Sequence, residues 1–190
     1  MGSLSRRKNK EYYAVIKGRV EGPTIFSSWG DAHPRVTGCY ADHKAFLTIE
    51  EAREWVRRKG FCEPKEVLKD TAIDTTPERN SVAFYAIAYG RNPGIRRVCG
   101  KTGSLEEIEE FQGACHKRFK TEAQAQAFIE DWKESYAEVW RSEVKKALDR
   151  GLQPKDMKFG MENILKEPNE VRDIVDLGEQ FRRQIGIDGN

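Results

Sequence analysis

The chain has 190 residues, with 33 Lys and Arg against 31 Asp and Glu, 38% hydrophobic and 34% charged side chains, a length that suits one or two small domains. No run of 18 apolar residues exists, which excludes a transmembrane helix, and the basic start, residues 1–10, leads into no apolar stretch of the kind a secretory signal needs. Four scattered cysteines without a CxxC pair, and only three histidines, argue against a structural zinc site or a disulfide framework and for a reduced, intracellular protein of nucleus or cytoplasm.

In chain order, residues 11–17 are aromatic and β-branched and predict a first strand. Gly18 and Gly22 punctuate a turn, residues 24–28 predict a second strand, and a short helix is expected over about 30–36. The segment from His43 to Leu47 reads as a short third strand. Thr48 is then placed to cap a helix, with Glu51 three residues on to complete a capping box. Ile49, Ala52, Trp55 and Val56 fall on one face of that helix. Residues 60–81 lack periodicity and read as a linker, with a helical turn expected at Lys65–Lys69.

Residues 83–89 and 95–99, a helix at about 104–111, and the strand around His116–Phe119 repeat that order, and Thr121 with Gln124 repeats the capping box. The helix after Thr121 meets no Pro or Gly until Gly151, its predicted stop. Ala125, Phe128, Trp132, Tyr136, Val139, Trp140, Val144 and Leu148 recur along it at helical spacing, and a last amphipathic helix is expected over 169–184.

The two halves are copies. Tyr12-Tyr13-Ala14-Val15 runs on to Gly18-Arg19, and Phe84-Tyr85-Ala86-Ile87 runs on to Gly90-Arg91. His43-Lys44-Ala45-Phe46-Leu47-Thr48 answers His116-Lys117-Arg118-Phe119-Lys120-Thr121, and the distance from Gly22 to Thr48 differs by one residue from that between Gly94 and Thr121. The expected fold class is therefore α+β: two small three-stranded antiparallel sheet units (ββαβα) in tandem with a helical C-terminal extension. The divisions are 11–59, the linker 60–81, 82–132, and the extension 133–190. Trp140 and its neighbours must pack on the C-terminal helices or on a second chain, so the helical tail is a surface for a homodimer or a protein partner.

Catalysis fails on inventory. The chain has no GxSxG, HExxH or phosphate-cradling GxxxxGK[ST], and no cofactor or metal is expected. Glu106, Glu107, Glu109 and Glu110 cluster on a predicted helix and read as a solvated face. Cys115 and His116 are adjacent on a strand and so point to opposite faces, which separates a thiol from a would-be base. Charge is uneven: residues 1–60 hold 12 basic and 7 acidic side chains, residues 122–190 hold 11 and 15, so a polyanion would meet the front half. Aromatic faces beside Lys and Arg suit nucleic acid, stacking on bases or sugars while neutralising phosphates. The candidates are Tyr13, Trp29, His43 and Lys44 in the first repeat and Tyr85, Lys101, His116, Lys117 and Arg118 in the second. For Tyr13 and Tyr85 a place in the core is the equal alternative, and Phe46 and Phe119 are expected there.

Tyr12–Arg19, Ile25-Phe26-Ser27-Ser28-Trp29 and His43–Ala52 resemble the hybrid-binding domain found at the N-terminus of eukaryotic type 1 ribonucleases H and in caulimovirus viroplasmin. The resemblance covers 11–58 closely and 83–132 more loosely. It implies a domain that binds RNA/DNA hybrid or double-stranded RNA by backbone shape and 2′-hydroxyls, not by base sequence. It also implies contact roles for Tyr13, Trp29 and Lys44, with His43 where the family often has an aromatic and Ala45 in place of a frequent second lysine. In the second repeat Tyr85, Lys117 and Arg118 match, whereas Lys101 takes the Trp position. The family's ribonuclease domain has no counterpart here, since residues 133–190 are too few and helical. Three readings follow: a non-catalytic duplex-binding protein; a protein-interaction module, ribosome-associated as viroplasmin-type relatives suggest, with the tail mediating assembly; or, behind both, a hydrolase that uses the acidic tail. Joined by a linker of about 20 residues, the two repeats are expected to be able to act bivalently.

Overall fold

Alternation of aromatic and small apolar residues builds a three-stranded antiparallel core in each repeat. In the computed structural model, which describes residues 9–78, 81–99 and 111–153, the first repeat runs β1 (Tyr12–Lys17), β2 (Thr24–Phe26), α1 (Trp29–Val36), β3 (Asp42–Phe46) and α2 (Ile49–Arg58). The second supplies β5 (Val82–Tyr89), β6 (Gly94–Cys99), β7 (Cys115–Phe119) and the long α3 (Glu122–Asp149). With β4 (Lys65–Val67), from between the repeats, the sheets are ordered β3-β1-β2-β4 and β6-β5-β7, so the first strand of each repeat lies between that repeat's other two. The helices expected at 104–111 and 169–184 lie essentially or wholly outside the described residues.

The duplication extends to register. Tyr13 pairs Ala45 and Val15 pairs His43, and the ladder then slips before Lys17 pairs Asp42. Tyr85 pairs Arg118 and Ile87 pairs His116, and the same slip precedes the pairing of Tyr89 with Cys115. A bulge at one equivalent place in both sheets is inherited geometry, since it leaves one residue unpaired and bends the strand locally.

Each face of the first sheet carries a helix. Ala14, Ile25 and Phe46 pack with Ala52 and Val56 of α2, while Tyr13, Val15 and Phe26 pack with Ala32 and Val36 of α1. Burying Ile25 and Phe26 contributes about 1.5–3 kcal/mol each. In the second repeat Ala86, Ala88, Cys115 and Phe119 pack with Ala125, Phe128 and Ile129 of α3. Cys115 is fully buried, and burial pushes its thiol well above the ordinary range.

Both helix starts follow the expected capping, with one difference. Thr121 Oγ1 accepts from the Gln124 amide while Gln124 Oε1 accepts from the Thr121 amide, a complete box. Thr48 Oγ1 accepts from the Glu51 amide, but the Glu51 carboxylate takes the Leu47 amide instead, one residue early. At the far end of α3, Gly151 has φ +79° and Leu152 donates to the Ala147 carbonyl, the left-handed stop that glycine permits.

The segment between the repeats is built into the structure. The helical turn expected at Lys65–Lys69 is instead β4 (Lys65–Val67), which pairs in parallel with β2, and a 3₁₀ turn follows at Asp70–Ala72. Alternating Lys65, Glu66 and Val67 suit an edge strand, and Glu66 takes a two-point ion pair from Arg53 of α2. Thr75 is fully buried, donating to and accepting from Glu11 and Asn9 side chains through its backbone and hydroxyl. Asn9 also donates to the Arg118 carbonyl, which ties the start of the first repeat to β7. The sequence signals loop chemistry here because the segment has no period of its own, and its partners lie far away in sequence.

The two repeats meet through α1, which lies between its own sheet and α3. At Gly30 an added Cβ would stand 2.5 Å from the Phe128 carbonyl oxygen, so only glycine lets the backbones approach this closely. His33 is buried, with Nε2 2.9 Å from the Gly113 carbonyl and Nδ1 3.2 Å from Trp132 Nε1. The indole can only donate, so Nδ1 accepts and the neutral ring donates from Nε2; burial holds its pKa down to about 4. Arg35 reaches Ser135 and pairs with Glu138 at 2.6 Å. Lys69, from between the repeats, sits between Asp131 of α3 at 2.5 Å and Asp31 of α1 at 3.1 Å.

Candidate nucleic-acid interface

Strand alternation sets the direction of every candidate. On β1, Tyr13 shares a face with Val15 and turns toward α1, where its ring centroid lies 5.1 Å from that of Trp29. Trp29 opens α1 directly after β2, so the helix start fixes its indole over the same face. His43, opposite Val15 on β3, lies near-parallel to Trp29 at 6.1 Å, and His33 meets the indole edge-on from below at 5.4 Å. Tyr13, Trp29 and His43 thus form a short ladder of rings. His43 is exposed, Trp29 half-buried, and Tyr13 only 8% exposed, with its hydroxyl donating to the Lys10 carbonyl at 2.8 Å. Burial raises the Tyr13 pKa far above that of a free phenol, so it remains a neutral donor.

Lys44 alternates to the other face of β3, with its ammonium 5.6 Å over the Phe46 ring. Because β3 is the sheet edge, Lys44 still borders the space beside the ring ladder. That space is an open cleft of about 420 Å³, bordered by Tyr13, Trp29, His43 and Lys44 and, from the second repeat, His116 and Lys117. Asn9, Lys10 and Ala45 complete it.

The second repeat's residues divide between this cleft and their own sheet. Tyr85 is 8% exposed, stacks on His116 with centroids 5.5 Å apart, and its hydroxyl lies 2.5 Å from His116 Nδ1. Burial lowers the His116 pKa, which keeps the ring neutral near pH 7. Arg118 stands opposite Tyr85 on β7, away from Lys117. Lys117 points to the α3 side and on into the first repeat: its ammonium lies 5.7 Å over the Tyr13 ring and donates to the Lys10 carbonyl at 3.3 Å. Burial lowers its pKa to about 8, opposed by the Glu11 carboxylate. Lys101 lies outside the described residues. Cys115 and His116 do fall on opposite faces of β7, the thiol in the α3 core and the ring against Tyr85.

Asn9 and Lys10 were not legible in the sequence as part of this cleft. They precede β1 in an irregular stretch, and the bonds of Asn9 to Thr75, Thr76 and Arg118, with those of Tyr13 and Lys117 to the Lys10 carbonyl, hold them there. Nor does the sequence foretell that both repeats border one space. A second cleft, of about 440 Å³ between the first repeat and α3, is bordered by Lys65 and by two arginines that serve the fold. Arg19 donates to the carbonyls of Pro34, Thr37 and Gly38, and Arg35 is taken by Ser135 and Glu138. Among the described residues no group of three or more His, Cys, Asp or Glu is arranged to hold a metal ion.

Residues 11–56 and 83–129 match the family described as the ribonuclease H1 N-terminal domain. The chain carries tandem domains that resemble it. The chain has no match among curated proteins or among solved structures. In both repeats the matched stretch runs from the first strand into the helix after the third strand, so it contains every candidate residue that the sequence singles out. Among the described residues no helix is long and apolar enough to cross a membrane.

Proposed function

We propose that the protein binds nucleic acid without catalysis, holding the sugar-phosphate backbone of an RNA/DNA hybrid or RNA duplex in the cleft beside Trp29. One observation carries the reading: an indole platform and the ammonium-bearing Lys10, Lys44 and Lys117 border a single open space. An aromatic face accepts a sugar or base, and cations around it neutralise phosphates and release counterions. The family likeness points the same way. The Glu11 carboxylate, which follows Lys10 in the chain, is engaged by the Thr75 amide and hydroxyl. Backbone recognition favours duplex type over base sequence.

The test is a titration of one sequence as hybrid, double-stranded RNA, double-stranded DNA and single-stranded RNA at low and high salt. The expected result is salt-sensitive preference for hybrid or RNA duplex. Trp29→Ala with Lys44→Ala should weaken that binding by about 2–4 kcal/mol, a stacking loss added to a phosphate contact. A folded double mutant with unchanged affinity refutes the site.

A second reading, protein binding through the long helix, draws on exposed apolar side chains at the C-terminal end of α3 and just beyond it. Trp140 is 44% exposed, Leu148 50% and Leu152 41%. Complexes that survive high salt would favour it, because apolar contacts are not screened.

A further inference from the structure

We propose that the two repeats make one composite site for a single phosphodiester backbone, in which Lys117 of the second repeat supplies a cation to the first repeat's aromatic platform. The inference rests on the nucleic-acid reading above and specifies how many sites the chain has and which residue completes one. The alternative is two independent sites, one per repeat.

Four observations favour a single site. Ala45 and Lys117 border the same cleft although they belong to different repeats. Ala45 pairs with Tyr13 across β3 and β1, and the Lys117 ammonium lies 5.7 Å over that same Tyr13 ring, so a cation of the second repeat stands at the first repeat's aromatic platform. Its position is fixed by more than one element: β7 carries it, the Lys10 carbonyl takes one of its hydrogens, and Asn9 holds the neighbouring Arg118 carbonyl. An ammonium has three hydrogens to donate. Finally, the second repeat's own tyrosine is occupied, since Tyr85 is buried, stacked on His116 and hydrogen-bonded to it. Tyr13, equally buried and with its hydroxyl on the Lys10 carbonyl, differs in bordering the cleft against Trp29. The second repeat therefore lends charge to the first repeat's platform and keeps its own ring in the core.

Lys117 is half-buried between apolar rings, which makes it a stronger partner for phosphate than a freely solvated lysine. Desolvation weakens competition from water, and a phosphate restores the favourable surroundings that burial removes.

The experiment uses the full chain and a short RNA/DNA hybrid, reading stoichiometry and the slope of log affinity against log salt. One duplex per chain is expected. Lys117→Gln should reduce the slope by about 1, the loss of one phosphate contact, with several-fold weaker binding at low salt. Lys117→Arg should keep the slope. Lys146→Gln, near the far end of α3 and paired with Glu143, should leave it unchanged. Thermal unfolding of each variant separates lost binding from lost folding, and the Arg variant keeps the test valid should the Gln variant unfold. Two equivalent duplex sites per chain, or an unchanged slope in folded Lys117→Gln, overturns the composite site alone. A wild-type chain with no salt-sensitive binding overturns it together with the function proposed above.

Discussion

Lys117 sits in surroundings unlike those of an ordinary surface lysine. The groups around it are Glu11, Lys10 and Tyr13 from the first repeat, His43 and Lys44 across the cleft, and His116 beside it. Burial lowers its pKa to about 8 in the free protein, whereas a bound phosphate would raise it. A group whose pKa rises on binding contributes affinity in full below its free value and loses it as pH rises toward its bound value. Duplex affinity should therefore begin to fall near pH 8, well before ordinary lysines titrate near 10.4. Lys117→Arg should flatten that decline, because guanidinium stays charged throughout the range. Binding titrations from pH 7 to 9.5 on both proteins check this, and a flat wild-type profile would count against a phosphate at Lys117. Trp29 is different in kind: its partly buried ring already packs against the cores of both repeats. Its replacement should thus cost stability as well as affinity, and the two losses must be measured separately.

The elements were legible where local pattern decides them. β1, β3, β5 and β7, the caps at Thr48 and Thr121, and the stop at Gly151 follow from periodicity, hydroxyl caps and glycine, each a signal carried by a few neighbouring residues. What local pattern did not carry was β4, since Lys65–Val67 becomes a strand only by pairing with β2 some forty residues earlier. Tyr13 and Tyr85 look alike in sequence and are equally buried, yet one adjoins the cleft and the other stacks on a histidine, a distinction made by tertiary neighbours. The first repeat's side of the cleft was legible residue by residue; the approach of β7 to it was not, because it depends on how α1 meets α3. Gly30 is the point where that meeting is tightest. Gly30→Ala places a methyl against the Phe128 carbonyl, and overpacking against rigid backbone costs about 1–3 kcal/mol. Gly22→Ala, where no atom lies within 4 Å of the added carbon, is the control. Denaturant unfolding of both variants reads the difference, and equal midpoints would show that α1 and α3 can separate without cost.

At the scale of the molecule, stability between pH 4 and 6.5 depends on two buried groups with opposed effects. His33 is held down to about 4, so its contribution is complete above 6.5 and is lost as pH falls through that window. Asp31 is raised to about 6, by burial first and then by Asp131, against the pull of Lys69. One ammonium cannot neutralise two carboxylates, and Lys69 stands nearer Asp131. A carboxyl raised in the folded state binds its proton more tightly than the unfolded chain does, so Asp31 adds stability as pH falls through about 6. The two largely cancel in the wild type. Asp31→Asn removes the compensation, and its stability should then fall on acidification with a slope approaching about 1.4 kcal/mol per pH unit. Urea unfolding at pH 6.5, 5.5 and 4.5 measures it; matching wild-type and variant slopes would mean that Asp31 stays ionised throughout.

The cluster of Asp31, Lys69 and Asp131 takes one charge from the first repeat, one from the segment between repeats and one from the second. After a gene segment is duplicated, the copies ordinarily drift apart under separate pressures. Here a change at any one of the three positions alters the charge balance of the other two, so the copies and their connection inherit a shared constraint. Among descendants of the same duplication, neutral residues at 31 should coincide with changes at 69 or 131, and chimaeras that exchange only one repeat should fold less well than those that exchange all three segments together.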